Sequence, residues 1–233
     1  MTTEEDSISH QAEEYLEAIY RLEKKRGFAK TMELARKLKV VPGSVTNTIE
    51  GLERRGLVIH KPYKGVRLTE KGRKIASNVL RRHRLAERFL TDILHLDWSE
   101  VHDTACKLEH ALPPEILNPL EEKLGHPETC PHGNPIPTKQ GKITEEESKP
   151  LTELNSGESG IVVKIAEEKA DTLKTLNSLG LTPGSFVKVE AKKPFTGPLD
   201  IHVEGKRHTI ERTIATHVHV KLVNIYDGGV KSA

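Results

Sequence analysis

VPGSVTNTIEGLERRGLVIHKPYKGVRLT, residues 41–69, decides how the first third of this chain folds. Pro42 suits a helix start, Val45, Ile49 and Leu52 recur at helical spacing, and Gly56 suits the stop. Residues 57–69 then read as two short strands about a Pro/Gly-containing turn at 62–65. Working upstream, Ala12, Tyr15, Leu16, Ile19, Tyr20 and Leu22 mark an amphipathic helix ending near Gly27. A shorter helical piece follows, with Thr31 as N-cap and Glu33, Leu34, Ala35 and Leu38 behind it. Helix, helix, helix, hairpin is the order of a winged helix-turn-helix.

Charge agrees with that reading. The whole chain carries only +2, but residues 21–75 hold 16 Lys/Arg against five acids, an excess of +11. A local excess of that size points to a polyanion, nucleic acid first among them, and with a winged helix the partner expected is double-stranded DNA. Aromatic residues make up 4% of the chain, too few for a single-strand binder that works by base stacking. The polar, acidic start MTTEEDSISH has no apolar core of a leader, and no run of about 18 apolar residues occurs, so neither export nor a membrane is expected. Two cysteines, Cys106 and Cys130, are too few for a disulfide framework, which fits a cytoplasmic chain with reduced thiols.

Downstream, a long helical pattern runs from about Glu70 to Leu96 with Thr69 placed to cap it. Asp97, three residues before Glu100, forms a capping box for a helix running to about Leu112, where Pro113-Pro114 stops it. EILNPLEEKLG is a further short helix, and residues 126–150, rich in Pro, Gly and charge, read as a linker. After residue 151 the texture turns to β. Five alternating segments (SGIVVKIA, SFVKVEA, DIHVEG, KRHTIE, HVHVKLVNI) surround one helical insert, EEKADTLKTLNSLG, and suggest a small, partly open barrel.

The segment VHDTACKLEH, residues 101–110, packs four metal-binding types into ten residues. On a helix, His102, Cys106, Glu109 and His110 fall at about 0, 40, 340 and 80 degrees, on one face. His102 and His110 are about 12 Å apart along the axis, too far for one ion with bonds of about 2.0–2.4 Å. If the row binds metal it must serve two ions, Cys106, Glu109 and His110 at one and His102 at the other. Further ligands are available at His83 and Glu87 (i, i+4) and at Glu14 and Glu17 (i, i+3) on the first helix. One thiolate with imidazoles and carboxylates suits Fe²⁺, Mn²⁺, Co²⁺ or Ni²⁺, with Cys106 favouring iron over manganese and with zinc able to substitute.

The basic winged helix, RRHRLAERFLTDIL, EVHDTACKLEH and CPHGNPIP, in that order over residues 8–140, resemble the iron-dependent repressors of the diphtheria toxin repressor (DtxR) class. LNSLGLTPGSFVKV looks like the SH3-like domain many members carry, and like the small ferrous-transport accessory protein. The resemblance implies a mainly α protein with a β C-terminal domain. Its parts are a winged helix-turn-helix over 1–75, a helical metal-binding and dimerisation domain over 76–142, a linker over 143–152 and an SH3-like small barrel over 153–226. It also implies a cytoplasmic homodimer, with no small-molecule substrate, that binds a palindromic operator when loaded with Fe²⁺, two ions per chain. The primary ion matches Cys106, Glu109, His110 and Glu14. Iron-responsive members have a methionine where this chain has Glu14, so a manganese-responsive regulator is the alternative, with Glu17 matching its other acid. The ancillary ion matches His83, Glu87 and His102, completed by Glu168 and Asp171 of the helical insert, with Glu167 or Lys169 as neighbouring alternatives. Cys130 and His132 lie in a loop that is structural in the resemblance.

A winged helix sends its third helix into the major groove. There Gly43, Ser44, Thr46, Asn47 and Thr48 are short and polar, fit to read base edges and leave room for thymine methyls. Arg36, Lys37, Arg54 and Lys64 flank them as phosphate contacts. Two rival readings are a winged-helix regulator of something other than metal and a metal-dependent hydrolase, against which stands the absence of a Gly-rich phosphate loop or a Gly-x-Ser-x-Gly elbow.

Overall fold

A computed structural model describes residues 8–226 and 229–232. They divide into two compact units, one formed by the chain through Arg82 with Pro137–Ile143, the other by His83–Ile136 with residues 144 onward.

The first unit is the winged helix. Helix α1 (His10–Arg26) is capped by Ser9, whose hydroxyl accepts from the Ala12 N–H at 3.3 Å, and ends at Gly27, whose φ of 77° the C-cap requires. It buries Tyr15, Leu16 and Ile19 against α2 (Thr31–Leu38) and α3 (Pro42–Arg54). Thr31 is not the N-cap of α2. Lys30 holds that position with no side-chain cap, so α2 is held by its apolar face, Leu34 and Ala35. Val45, Ile49 and Leu52 of α3 are buried as their spacing implies. Strands β1 (Val58–Lys61) and β2 (Gly65–Leu68) pair antiparallel from Val58↔Leu68 to Lys61↔Gly65. The Thr69 hydroxyl oxygen accepts from the Gly72 N–H at 3.1 Å and caps α4 (Glu70–Arg88). A Cβ on Gly72 would lie 2.0 Å from the Leu57 carbonyl oxygen, so only glycine lets the helix meet the hairpin this closely. Beneath, the buried Glu23 carboxylate accepts from the Leu68 N–H at 2.9 Å and from Arg73 at 2.6 Å, tying α1 to the hairpin and α4.

In the second unit the long helix differs from expectation. It is α-helical only to Arg88, then passes through a π-helical turn, Phe89–Ile93. The expected capping box does not form either. The Asp97 carboxylate accepts from the Ser99 N–H (2.8 Å) and hydroxyl (2.6 Å), closing a local turn, and α5 (His102–Leu108) starts later with no side-chain cap. Its last residues tighten into a 3₁₀ turn, Glu109–Ala111, before Pro113 and α6 (Pro114–Lys123).

Residues 126–136 are packed structure and not a linker. The His132 carbonyl accepts from the Ile165 N–H at 2.8 Å, Arg88 donates to the Thr129 carbonyl at 2.7 Å, and Arg84 donates to the Pro135 carbonyl. Within the stretch 143–152, β3 (Lys149–Pro150) pairs with a later strand and Leu151 is fully buried. The β region is an antiparallel sheet of β4 (Ser159–Ile165), β5 (Phe186–Lys192), β6 (Leu199–Val203), β7 (Lys206–Ile210), β8 (Val218–Tyr226) and β9 (Gly229–Ser232) with β3. Its order is β3-β8-β4-β5-β6-β7, with β9 beside β8, so two short strands join the five expected. Helices α7 (Ala170–Ser178) and α8 (Arg212–Ala215) complete it, and Leu173 and Leu176 of α7 enter the sheet's core.

Candidate metal centre and DNA interface

His83 and Glu87 lie one turn apart near the end of α4 and are 1% and 0% exposed. The single oxygen Oε1 of Glu87 is approached by three imidazoles, His83 Nε2 at 3.0 Å, His132 Nδ1 at 3.2 Å and His102 Nδ1 at 3.3 Å. His83 turns its other nitrogen to Glu109 Oε2 at 2.6 Å. Glu168, in the loop between β4 and α7, is buried and brings Oε2 to 3.7 Å from His102 Nδ1. It is held by Asn134 of the Asn-Pro-Ile-Pro turn, whose amide donates to Glu168 Oε1 at 3.0 Å and to the Ile165 carbonyl at 2.9 Å.

Among the described residues, three sets of donor atoms lie within 4.8 Å of one another: His83, His102 and Cys106; His83, Glu87, His102 and Glu168; and Glu87, Cys130, His132 and Glu168. Two donors on one ion are at most about 4–5 Å apart, so each set can close on a cation with small movements.

The electrostatics are those of acids and imidazoles that hold one another charged. Burial pushes the Glu87 carboxyl up, but the charges of His83 and His132 more than offset it and hold it well below the usual range. Burial pushes His83 down, and Glu87 together with hydrogen bonds that its ring donates to Cys106 and Glu109 carries it well above its ordinary value. In the same way His102, against Cys106, Glu87 and Glu168, is raised to about 9, and His132, against Glu87 and Cys130, to about 11. For Cys106, burial is outweighed by His102 and His83, so its thiol is lowered toward the thiolate that binds metals. Burial and Glu87 push the Cys130 thiol up.

The expected sites are therefore brought together in part. His83, Glu87, His102 and Glu168 converge, whereas Asp171 is exposed in the first turn of α7 and joins none of the sets. Cys106, Glu109 and His110 do not close on one point. Cys106 lies 3.9 Å from both His83 Nδ1 and His102 Nε2, while Glu109 spans His83 and His110, the latter at 3.3 Å. The physical reason is competition from α4: Glu109 keeps α-helical backbone geometry, its N–H bonded to the Ala105 carbonyl, but turns its carboxylate to His83 at 2.6 Å. Glu14 is exposed on α1 in the other unit, and Glu17 beside it pairs with Arg21 at 2.7 Å. Cys130 and His132, read as loop structure, stand beside Glu87 and Glu168. Their Cys-x-His spacing was the available signal, but only the long-range pairing of that loop with β4 shows where it points.

On the winged helix, Gly43, Ser44, Thr46 and Asn47 are exposed and Thr48 is half-buried. Thr46 and Thr48 donate their hydroxyl protons to the carbonyls of Pro42 (3.3 Å) and Ser44 (2.9 Å), so outward they offer only acceptor lone pairs. Ser44 and Asn47 are the groups left to donate. Arg36, Lys37, Arg54 and Lys64 are all exposed.

A basic winged helix followed by buried His/Glu/Cys clusters defines a metal-responsive DNA-binding protein. Three family models match in order: the iron dependent repressor N-terminal DNA binding domain over residues 7–66, the iron dependent repressor metal binding and dimerisation domain over 69–138, and the FeoA domain over 149–222. The iron-dependent repressor IdeR of Mycobacterium tuberculosis is 36% identical over 224 residues, 91% of this chain and 96% of that protein. A solved manganese-dependent transcriptional repressor in complex with manganese aligns with a TM-score of 0.82 at 30% identity, covering 91% of this chain and 99% of its own. IdeR of T. acidophilum aligns with a TM-score of 0.78 at 30% identity, covering 93% and 99%. The chain belongs to the iron-dependent repressor (DtxR) family of metal-dependent transcriptional repressors, with a FeoA, SH3-like domain at its C-terminal side.

Proposed function

We propose that this protein is a cytoplasmic homodimer that represses metal-homeostasis genes by binding a palindromic operator when it carries Fe²⁺. The observation that carries the metal half is the buried cluster of His83, Glu87, His102 and Glu168, which lies within and beside the residues matched to a metal-binding domain. Those four hold an ancillary ion, and Cys106, Glu109, His110 and Glu14 hold a primary one, with Glu17 adjacent. In the metal-free protein the protonated imidazoles of His83 and His102 balance the carboxylates of Glu87 and Glu168, and a divalent cation would take over that charge. Glu14 belongs to the winged-helix unit and Cys106, Glu109 and His110 to the other. A cation held by Glu14 together with Cys106, Glu109 and His110 would restrict the two recognition helices of a dimer to a spacing that fits half-sites about 34–36 Å apart, or a multiple. Ser44 and Asn47, with Gly43, Thr46 and Thr48, read the bases, and Arg36, Lys37, Arg54 and Lys64 hold phosphates.

Manganese is the second reading, favoured by the carboxylate of Glu14 and by the similarity to a manganese-dependent repressor. The test is anaerobic binding to operator DNA with Fe²⁺, with Mn²⁺ and with chelator. Binding with Fe²⁺ at lower concentration than Mn²⁺, and none with chelator, is expected. Equal binding in chelator overturns metal dependence, and tighter response to Mn²⁺ selects the second reading.

A further inference from the structure

The second and third donor sets share two residues, Glu87 and Glu168, and differ in the rest. His83 and His102 belong to the second set alone, Cys130 and His132 to the third alone. Had all six donors converged, they would form one set suited to a single six-coordinate ion. They form two sets instead, and only the carboxylates belong to both.

Three further observations bear on what fills the second set. Glu87 Oε1 already faces three imidazole nitrogens, whereas its Oε2 is fully buried and has no hydrogen-bond partner. A buried carboxylate oxygen left unpaired is costly, so it needs a cation or a donor. His132 Nε2 lies 2.9 Å from the Trp98 carbonyl, which can only accept, so Nε2 carries a proton. That bond is the kind that orients metal-ligating histidines. It turns Nδ1 toward Glu87 Oε1 at 3.2 Å and toward Cys130 Sγ at 3.8 Å, so that an imidazole nitrogen that a cation would deprotonate, a carboxylate and a sulfur meet in a place shut from water. Finally, Asn134 donates to Glu168 Oε1 and leaves Oε2 directed to the His102 side, so Glu168 too presents its two oxygens differently.

We propose that Glu87 and Glu168 bridge two divalent cations, His83 and His102 completing one and Cys130 and His132 the other, so that the buried site is a dinuclear centre. This rests on the reading above that the His83–Glu87 cluster holds an ion. Two dications face three anions here, Glu87, Glu168 and the Cys130 thiolate, which is close to neutral for a buried site. Carboxylate-bridged ions sit about 3.5–4 Å apart, a spacing that couples their unpaired electrons. The thiolate makes the inner ion the softer of the pair, so thiophilic cations prefer it.

The experiment loads the full-length protein with Mn²⁺ anaerobically, removes free ion, counts bound Mn²⁺ per chain and records the electron paramagnetic resonance spectrum. The wild type should show an exchange-coupled spectrum with halved hyperfine spacing. Cys130→Ser with His132→Ala should lose one Mn²⁺ per chain and leave only isolated Mn²⁺ signals. Because that pair is buried, the single variants Cys130→Ser and His83→Ala, from opposite sides of the bridge, are read too, and each should abolish the coupling. His126→Ala, exposed and in none of the sets, should keep both the count and the coupling. An uncoupled wild-type spectrum with an ion count that falls in His83→Ala overturns the dinuclear centre and leaves the ancillary ion intact. A count unmoved by His83→Ala, Cys130→Ser and the double variant alike overturns both.

Discussion

Replacing Glu87 by glutamine keeps its volume and removes its charge. Glu87 is wholly buried, and one of its oxygens meets imidazole nitrogens of His83, His132 and His102 at 3.0, 3.2 and 3.3 Å. Removing one partner of a buried charged network costs about 3–5 kcal/mol, and glutamine, which can still accept, should bring it to about 3 kcal/mol. For a chain of this size that is a fall in Tm of about 6–12 °C. The loss must depend on pH in a fixed direction. His102 and His132 are raised to about 9 and about 11 in the folded protein, against about 6.5 unfolded. Raised values contribute stability that is fully present below about 6.5 and is lost as pH climbs through the folded values. The difference between wild type and Glu87→Gln should therefore be largest near pH 6 and shrink by pH 9 and above. Differential scanning calorimetry in chelator at both pH values measures it, and metal analysis of the loaded protein should show fewer ions in the variant. A variant with unchanged Tm at pH 6, or one whose deficit grows toward pH 9, would refute the electrostatic account of the cluster.

Three other outcomes are expected. Ser44→Ala with Asn47→Ala should lose about 1–3 kcal/mol of discrimination per base contact in anisotropy titrations against operator and scrambled DNA, with bound metal unchanged; loss of metal as well would contradict the division of labour. Arg54→Ala and Lys64→Ala should each weaken binding to all sequences alike and lower the slope of log K against log salt by about one; an unchanged slope would remove them from the phosphate surface. Gly72→Ala, whose Cβ would stand 2.0 Å from the Leu57 carbonyl oxygen, should destabilise the winged helix by about 1–3 kcal/mol in thermal melts, and a wild-type melt would show that the helix and hairpin can part at little cost.

What could be read from the sequence were the local patterns backed by burial. Val45, Ile49 and Leu52 repeat as a helix buries them, and the 57–69 hairpin is bounded by its own turn residues. His83 and Glu87 share a helix face, so their pairing was legible too. The failures have a common cause in tertiary competition. Asp97 looked like a helix cap because three residues separate it from Glu100, but Ser99 offers its carboxylate two nearer donors. The spacing from His102 to His110 counts only groups of its own helix, whereas His83 of α4 draws the Glu109 carboxylate to 2.6 Å. The loop around Cys130 and His132 has a linker's composition, yet its backbone pairs with β4 more than 30 residues away, and no local spacing encodes that. β3 is two residues long and contains a proline, so neither length nor propensity marks it.

The measurement closest to the central claim is operator affinity with and without Fe²⁺ for the wild type, Cys106→Ala, His110→Ala and Glu14→Ala, alongside sedimentation to confirm that each remains a folded dimer. The account predicts that Fe²⁺ tightens wild-type binding while all three variants bind at the level the wild type shows in chelator. Full Fe²⁺ response in Cys106→Ala and His110→Ala would contradict it.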